Sequence, residues 1–151
     1  MIKRMILPAL SIWVLVGCGK EASYEPVEIN PDIDVCEVCN MSITEPQFAA
    51  ETIMKDGHVH TFDDIGCMVE FLEEASKDDI GESFIRDTNA GEWAVLNQGS
   101  FVYDPESWTP MSFGVLSFSS DKQAEAYLNK HPSGELLSYE DLWNHSWEAV
   151  K

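Results

Sequence analysis

The chain has 151 residues, of which 44% are hydrophobic and 24% charged, the balance of a folded domain rather than a disordered segment. Its 27 acidic residues outnumber its 9 basic residues, which gives a formal net charge of −18. A surface this negative repels phosphate backbones and lacks the basic stripe that nucleic-acid binding needs. Nucleic acids are therefore excluded as expected partners, whereas small cations and basic protein surfaces would be attracted.

The N-terminal segment has the pattern of a secretory signal. A charged start precedes an apolar run over residues 5–16, which as a helix would span about 18 Å, too short for a hydrocarbon core of about 30 Å. The run ends in the letters LVGC, which resemble the bacterial lipobox and close on Cys18. We expect a signal peptide at residues 1–17, lipidation of Cys18, and a lipid-anchored location on the extracytoplasmic face of the bacterial cell membrane. Residues 18–34, rich in proline and acidic side chains, predict a flexible tether.

Beyond the tether, the first predicted elements are a hairpin and a helix. Residues 48–55 and 58–62 read as strands around Asp56-Gly57, a strong hairpin signal. Asp63 or Asp64 is then placed to cap a helix. Apolar residues recur in it at helical spacing, at Cys67, Met68, Phe71, Leu72 and Ala75.

The second half of the chain has a similar order. Short strands are predicted at residues 93–96, 101–103 and 114–118, with a turn at 97–100. A helix is predicted to begin at Ser120 or Asp121 and to end near His131. Ser138, with Asp141 three residues later, predicts a final capped helix.

Two segments of the chain resemble each other, HTFDDIGCMVEFL and LSFSSDKQAEAYL. Each contains a strand-ending Phe (Phe62, Phe118), small or acidic capping residues, and an aromatic-Leu pair. A common strand-to-helix junction could produce this similarity by chance. If it reflects duplication, it predicts an α+β fold with two small, similar β-β-α units in one metal-binding domain over residues 35–151.

The most informative motif is CEVCNM at residues 36–41. Thiolate and thioether sulfurs are soft ligands that select Cu(I) over hard cations, so Cys and Met at this spacing indicate a Cu(I) site. Two other readings remain open. Cys36 and Cys39 could form a disulfide outside the cytoplasm, or they could bind zinc together with His58 and His60. Zinc would leave Met41 without a role.

Other sulfur-containing residues carry weaker signals. Cys67 and Met68 fall on the predicted helix, where core packing is the simplest interpretation. Met111 lies between a proline and a small residue in a loop, which makes it a candidate ligand. The chain contains no G-x-S-x-G, phosphate-binding loop or H-E-x-x-H motif. We therefore do not expect an enzyme.

Taken together, these motifs resemble the NosL family, whose members are lipoproteins regarded as copper chaperones for nitrous oxide reductase. The resemblance rests on the lipobox, CEVCNM, and a Pro-Met loop running into GVLSFSSDKQAEAYLNKH and LLSYEDLW. It covers essentially the whole chain after the signal peptide. It implies paired β-β-α units and a Cu(I) site formed by Cys39, Met41 and Met111, with Cys36 as a further ligand or an auxiliary thiol.

The resemblance implies a membrane-anchored Cu(I) carrier that delivers copper to apo-nitrous oxide reductase. The chain departs from the family pattern in two places: Asn40 stands where many members have Gly, and Ser112 and Phe113 follow the Pro-Met where members often have Gly. Two rival functions remain. A thiol-disulfide lipoprotein would need Cys36 and Cys39 but not Met41, and a zinc-stabilised binding module would need the two histidines.

Overall fold

The computed structural model describes residues 23–150. Within them, two antiparallel sheets and two α-helices form the fold. The first sheet has the order β2-β1-β3-β4, with β1 at Ala50–Met54, β2 at Val59–Phe62, β3 at Ile80–Arg86 and β4 at Trp93–Val95. The second has the order β6-β5-β7, with β5 at Ser100–Tyr103, β6 at Val115–Phe118 and β7 at Glu135–Leu137. Helix α1 spans Ile65–Glu74 and α2 spans Asp121–Leu128.

The two sheets repeat one topology. Each is built from a strand, a second strand, a helix and a third strand, and in each the first strand lies between the other two. In the first sheet β4 is added beyond this pattern. The α+β fold predicted from the sequence is confirmed, and the shared order of elements agrees with two similar units.

Turn and capping residues determine where the hairpin turns and where the helix begins in the first unit. Gly57 has a φ of 91°, a conformation that glycine adopts at no steric cost, and it closes the hairpin between β1 and β2. Asp64 caps α1, because its carboxylate accepts a hydrogen bond of 2.9 Å from the backbone N–H of Gly66. Since Asp64 is the cap, the neighbouring carboxylate of Asp63 is available for other contacts.

Helix α1 lies where the two units meet. It contacts β1 and β2 of the first sheet and β6 of the second, so the main core draws on both units. Fully buried members include Phe62, Met68 and Phe101. On α2, Ala124 packs against Leu116 and Phe118 in a second, smaller core. Among residues 23–150, neither helix is long and apolar enough to cross a membrane.

Part of the predicted tether lies against the first sheet. The backbone N–H of Val27 donates to both carboxylate oxygens of Glu51, at 3.1 and 3.2 Å, and Glu28 forms an ion pair with Arg86. Ile29 is buried beside Ile43. This segment therefore contacts the domain because it supplies a buried side chain and a hydrogen-bond donor for a buried carboxylate.

The prediction of a final helix is wrong. Ser138 and Asp141 do form the reciprocal hydrogen bonds of a capping motif, but only a short 3-10 turn follows, at Asp141–Asn144. The indole N–H of Trp147 donates to the carbonyl of Leu142, and its ring packs edge-on against Phe113. Tertiary contacts of the aromatic residues thus override the local helix signal. Strands β3 and β7 were not predicted.

Candidate metal centre

The CEVCNM motif forms a tight turn that is fixed at both ends. The backbone N–H of Cys36 donates to the carbonyl of Met41 at 2.8 Å, and that of Asn40 donates to the carbonyl of Cys36 at 3.0 Å. The turn is held on strand β2, because the N–H of Glu37 donates to the carbonyl of Thr61 at 2.9 Å. Docking on β2 brings the motif to the junction between β2 and α1.

Two further side chains reach the motif from that junction. Asp63 directly follows β2, and Cys67 lies in the first turn of α1. The ligand atoms of Cys36, Cys39, Asp63 and Cys67 all lie within 4.8 Å of one another. The three cysteines are free thiols, and the Sγ of Cys39 is 3.5 Å from each oxygen of the Asp63 carboxylate. We call these four residues the thiol cluster.

The three thiols of the cluster differ in pKa. A hydrogen bond from the Cys67 side chain lowers the pKa of Cys36 to about 6, although burial acts in the opposite direction. The same hydrogen bond, together with burial, raises the pKa of Cys67. Burial raises the pKa of Cys39 to about 11. The lowered pKa of Cys36 favours its thiolate, the form in which cysteine binds metals.

A second loop lies next to the cluster and carries Met111. The backbone N–H of Met111 donates to the Asp64 carboxylate at 3.2 Å, so one side chain both caps α1 and holds this loop. The hydroxyl of Thr109 accepts hydrogen bonds from the N–H groups of Phe113 and Gly114. Met111 is half-buried against the core that contains Cys36 and Cys67. Met41 is 44% exposed.

Both methionines stand beside a residue in the left-handed region. Asn40 has a φ of 59° and Ser112 a φ of 58°. Both residues are among those at which the sequence departs from the glycine that the family resemblance leads us to expect. A glycine adopts this conformation at no steric cost, whereas for other residues the left-handed region costs about 1–2 kcal/mol, with Asn tolerating it better than Ser.

We therefore expect Ser112→Gly to raise the free energy of unfolding by about 0.5–1 kcal/mol, because the steric relief exceeds the added entropy of the unfolded chain. Asn40→Gly is the matched comparison, and its change should stay within about 0.5 kcal/mol. Urea denaturation with unchanged slope measures both. A destabilised Ser112→Gly variant would show that the serine side chain contributes more to the loop than its conformation costs.

The structure argues against the zinc hypothesis, which needs two histidines beside Cys36 and Cys39. Neither His58 nor His60 is among the clustered ligands of the described residues. His58 is paired instead with Asp56 at 3.0 Å, and the Nδ1 of His60 lies 3.3 Å from the Glu37 carboxylate. Cys18, the predicted lipidation site, lies outside the described residues.

Sequence reasoning assigned Cys67 to the core and Asp63 to helix capping, and so did not place either in the site. The positions of Asp63 and Cys67 in the sequence could have indicated that both belong to the candidate site. Asp63 begins the strand-to-helix junction and Cys67 follows four residues later, so one helical turn can bring both side chains to the same end of β2. That the CEVCNM turn docks at this end depends on tertiary contacts.

The family model NosL matches residues 26–147, and the chain belongs to the NosL family. Among solved structures, a similar one is the crystal structure of the copper chaperone NosL from Shewanella denitrificans. The match has a TM-score of 0.69 and 21% sequence identity, and it covers 80% of this chain and 96% of that chain. At this identity the match establishes the shared fold. A search of curated protein sequences returned no significant match.

Proposed function

We propose that this protein is a Cu(I) carrier, anchored outside the cytoplasmic membrane by a lipid on Cys18, that delivers copper to apo-nitrous oxide reductase. The observation that carries the proposal is the thiol cluster, in which three free cysteines gather. Two of them lie in the turn that carries Met41, and the loop of Met111 is hydrogen-bonded to Asp64, next to Asp63 of the cluster. Family membership supports it, as does the fold shared with a protein described as a copper chaperone.

The donor set favours Cu(I) as the cargo. Thiolate and thioether sulfurs are soft, and they favour Cu(I) over hard oxygen-preferring cations. Zinc uses thiolate, imidazole and carboxylate ligands but not thioethers, so a zinc site would leave Met41 and Met111 without a function. We assign Cys39, Met41 and Met111 as the ligands from which copper is transferred, with Cys36 beside them.

Transfer by ligand exchange suits this arrangement. Met41 is 44% exposed and Cys39 is half-buried, so an acceptor can approach the metal from the side of the CEVCNM turn. A His or Cys ligand of the acceptor would bond to Cu(I) as a thioether bond breaks, and copper would remain Cu(I) throughout. No covalent chemistry on a substrate is required, which fits a carrier rather than an enzyme.

The experiment is a Cu(I) transfer assay with Met41→Ala and Met111→Ala. We expect each change to weaken Cu(I) binding about tenfold, or about 1.4 kcal/mol, because each removes one sulfur ligand. Affinity is measured anaerobically against a Cu(I)-specific chelator. Delivery is measured as the activity recovered by apo-nitrous oxide reductase mixed with the copper-loaded protein.

Met54→Ala is the matched control, because Met54 ends strand β1 and lies outside both methionine loops. It should leave Cu(I) affinity and delivery unchanged. If both methionine changes leave affinity and delivery intact, the thioethers are not ligands. If the loaded protein binds Cu(I) but does not activate the reductase, the acceptor is a different protein.

A further inference from the structure

Cys67 lies in the thiol cluster, although the family resemblance gives it no role. We infer that Cys67 is a copper ligand, which forms with Cys36 and Cys39 an inner position for Cu(I) made of three sulfurs. The outer position is the one that Cys39 shares with Met41 and Met111. This inference rests on the proposed function, since it takes Cu(I) as the cargo, and it adds a second place for the metal in the same site.

The spacing of the sulfurs suits a single metal ion. The ligand atoms of the cluster all lie within 4.8 Å of one another. An ion bonded to three thiolates in one plane, at about 2.3 Å from each, holds the sulfurs about 4.0 Å apart. Small side-chain rotations therefore suffice to close Cys36, Cys39 and Cys67 around one ion.

Burial increases from the outer position to the inner one. Met41 is 44% exposed, whereas Cys36 is 0% and Cys67 2% exposed. Cys39 is intermediate and belongs to both positions. Cu(I) bound by the three thiols would be shielded from water, and Cu(I) bound by Cys39 and the thioethers would be within reach of an acceptor.

The surroundings of Cys67 differ from those of a residue that only fills the core. Its sulfur lies within 4.8 Å of the sulfurs of Cys36 and Cys39 and of a carboxylate oxygen of Asp63, which is itself 3% exposed. Buried carboxylates are paired or coordinate metals, so a buried carboxylate beside three sulfurs favours a metal at this place. The next residue, Met68, is fully buried in the core and shows the packing role that the helix also needs.

Movement between the two positions keeps one bond throughout. As Cu(I) moves outward, its bonds to Cys36 and Cys67 break, bonds to Met41 and Met111 form, and the bond to Cys39 remains. No electron is transferred, and a sulfur that released its proton on binding Cu(I) takes one back from solvent. The shared thiolate lets copper change partners without leaving the protein.

The test uses the reduced full-length chain in mild detergent, kept anaerobic and carrying Cys18→Ser, so that the remaining thiols are those of the cluster. X-ray absorption of the Met41→Ala/Met111→Ala double variant loaded with Cu(I) should show three sulfur neighbours. The outer position alone would leave one sulfur, and that result would overturn the inference.

Cys67→Ser should weaken Cu(I) binding at least about tenfold. It should also lower the ultraviolet thiolate-to-copper absorbance by about a third, because two thiolates remain of three. A purely structural role would not reduce the absorbance of the copper that is still bound. Met68→Leu, a change of similar volume at the next buried residue, is the control and should alter neither quantity.

The outcomes separate the inference from the proposed function. Tight Cu(I) binding by the parent chain with an unchanged Cys67→Ser variant overturns the inner position and leaves the carrier function standing. Failure of the parent chain to compete with the chelator removes both. If Cys67→Ser does not fold, the X-ray absorption of the Met41→Ala/Met111→Ala variant tests the inference. Displacement of the copper in that variant by excess Zn(II) would also contradict the inference.

Discussion

Cys39→Ser is expected to lower Cu(I) affinity at least about 100-fold, which corresponds to about 2.7 kcal/mol. Changes outside the metal's direct ligands already cost about 10–100-fold in metal proteins. Cys39 should exceed that range because it is the one sulfur common to the outer and the inner position. A chelator competition on the copper-loaded protein measures the loss, and delivery to the apo-reductase should fall with it.

The comparison with Cys36→Ser makes this expectation specific. Cys36 belongs only to the inner position, so its loss should weaken binding less than loss of Cys39. The half-buried serine at position 39 can still donate to the Asp63 carboxylate, so the fold should survive the change. If Cys36→Ser and Cys39→Ser lose function equally, and replacing the methionines has no effect, the results would instead support the thiol-disulfide hypothesis.

Asp87→Ala is expected to destabilise the fold by about 3–5 kcal/mol, a large part of a typical domain's stability. Asp87 follows β3 and is 0% exposed. One of its oxygens accepts from the N–H and hydroxyl of Ser119, each at 2.8 Å, and the other accepts from the N–H groups of Asn89 and Ala90. Because Ser119 follows β6, this carboxylate joins the ends of one strand from each sheet. Its loss leaves the donors without a partner.

The pH dependence gives a second measure of Asp87. Burial raises its pKa, but the hydrogen bonds it accepts outweigh burial, and its pKa is lowered overall. A carboxyl group with a lowered folded pKa contributes stability above its unfolded pKa of about 3.9, and that contribution is lost as pH falls through the folded value. The difference in free energy of unfolding between the unmodified protein and the Asp87→Asn variant should therefore become smaller as the pH is lowered.

Asp78→Ala, at an exposed position, is the control and should change stability by no more than about 0.5 kcal/mol. Urea unfolding with equal slopes measures all three variants. An Asp87→Ala protein as stable as the parent would mean that the hydrogen bonds of Asp87 do not contribute to holding the two sheets together.

The elements that were predicted correctly have strong local signals. Asp56-Gly57 favours a hairpin wherever it stands between two apolar strands, and the Asp-Asp pair before an amphipathic run marks the start of α1. The final helix was predicted from an equally good local signal at Ser138 and Asp141, and it does not form. There the packing of Trp147 against Phe113 of the Met111 loop stabilises the chain more than a short helix would.

Strand β3 had no comparable signal, since its partner β1 is separated from it by β2 and helix α1, and their pairing contains an irregularity near Met54. Contacts across such separations depend on the whole fold, so a window of neighbouring residues does not reveal them. The contacts of the segment around Val27 could not be predicted for the same reason. Its polar composition indicated a tether, but the backbone N–H of Val27 donates a hydrogen bond to the buried Glu51 carboxylate.

The sequence by itself supplied the side chains of the proposed site: Cys36, Cys39 and Met41 at close spacing and the isolated Met111 carry soft sulfur atoms, because ligand chemistry belongs to the side chains and not to the fold. It also indicated two strands and a helix of each unit, since those signals are local, whereas the third strands β3 and β7 were not predicted. Tertiary structure alone decided that Asp63 and Cys67 join the site. Their side chains meet the CEVCNM turn only because that turn docks on β2, and docking depends on contacts between residues far apart in the chain.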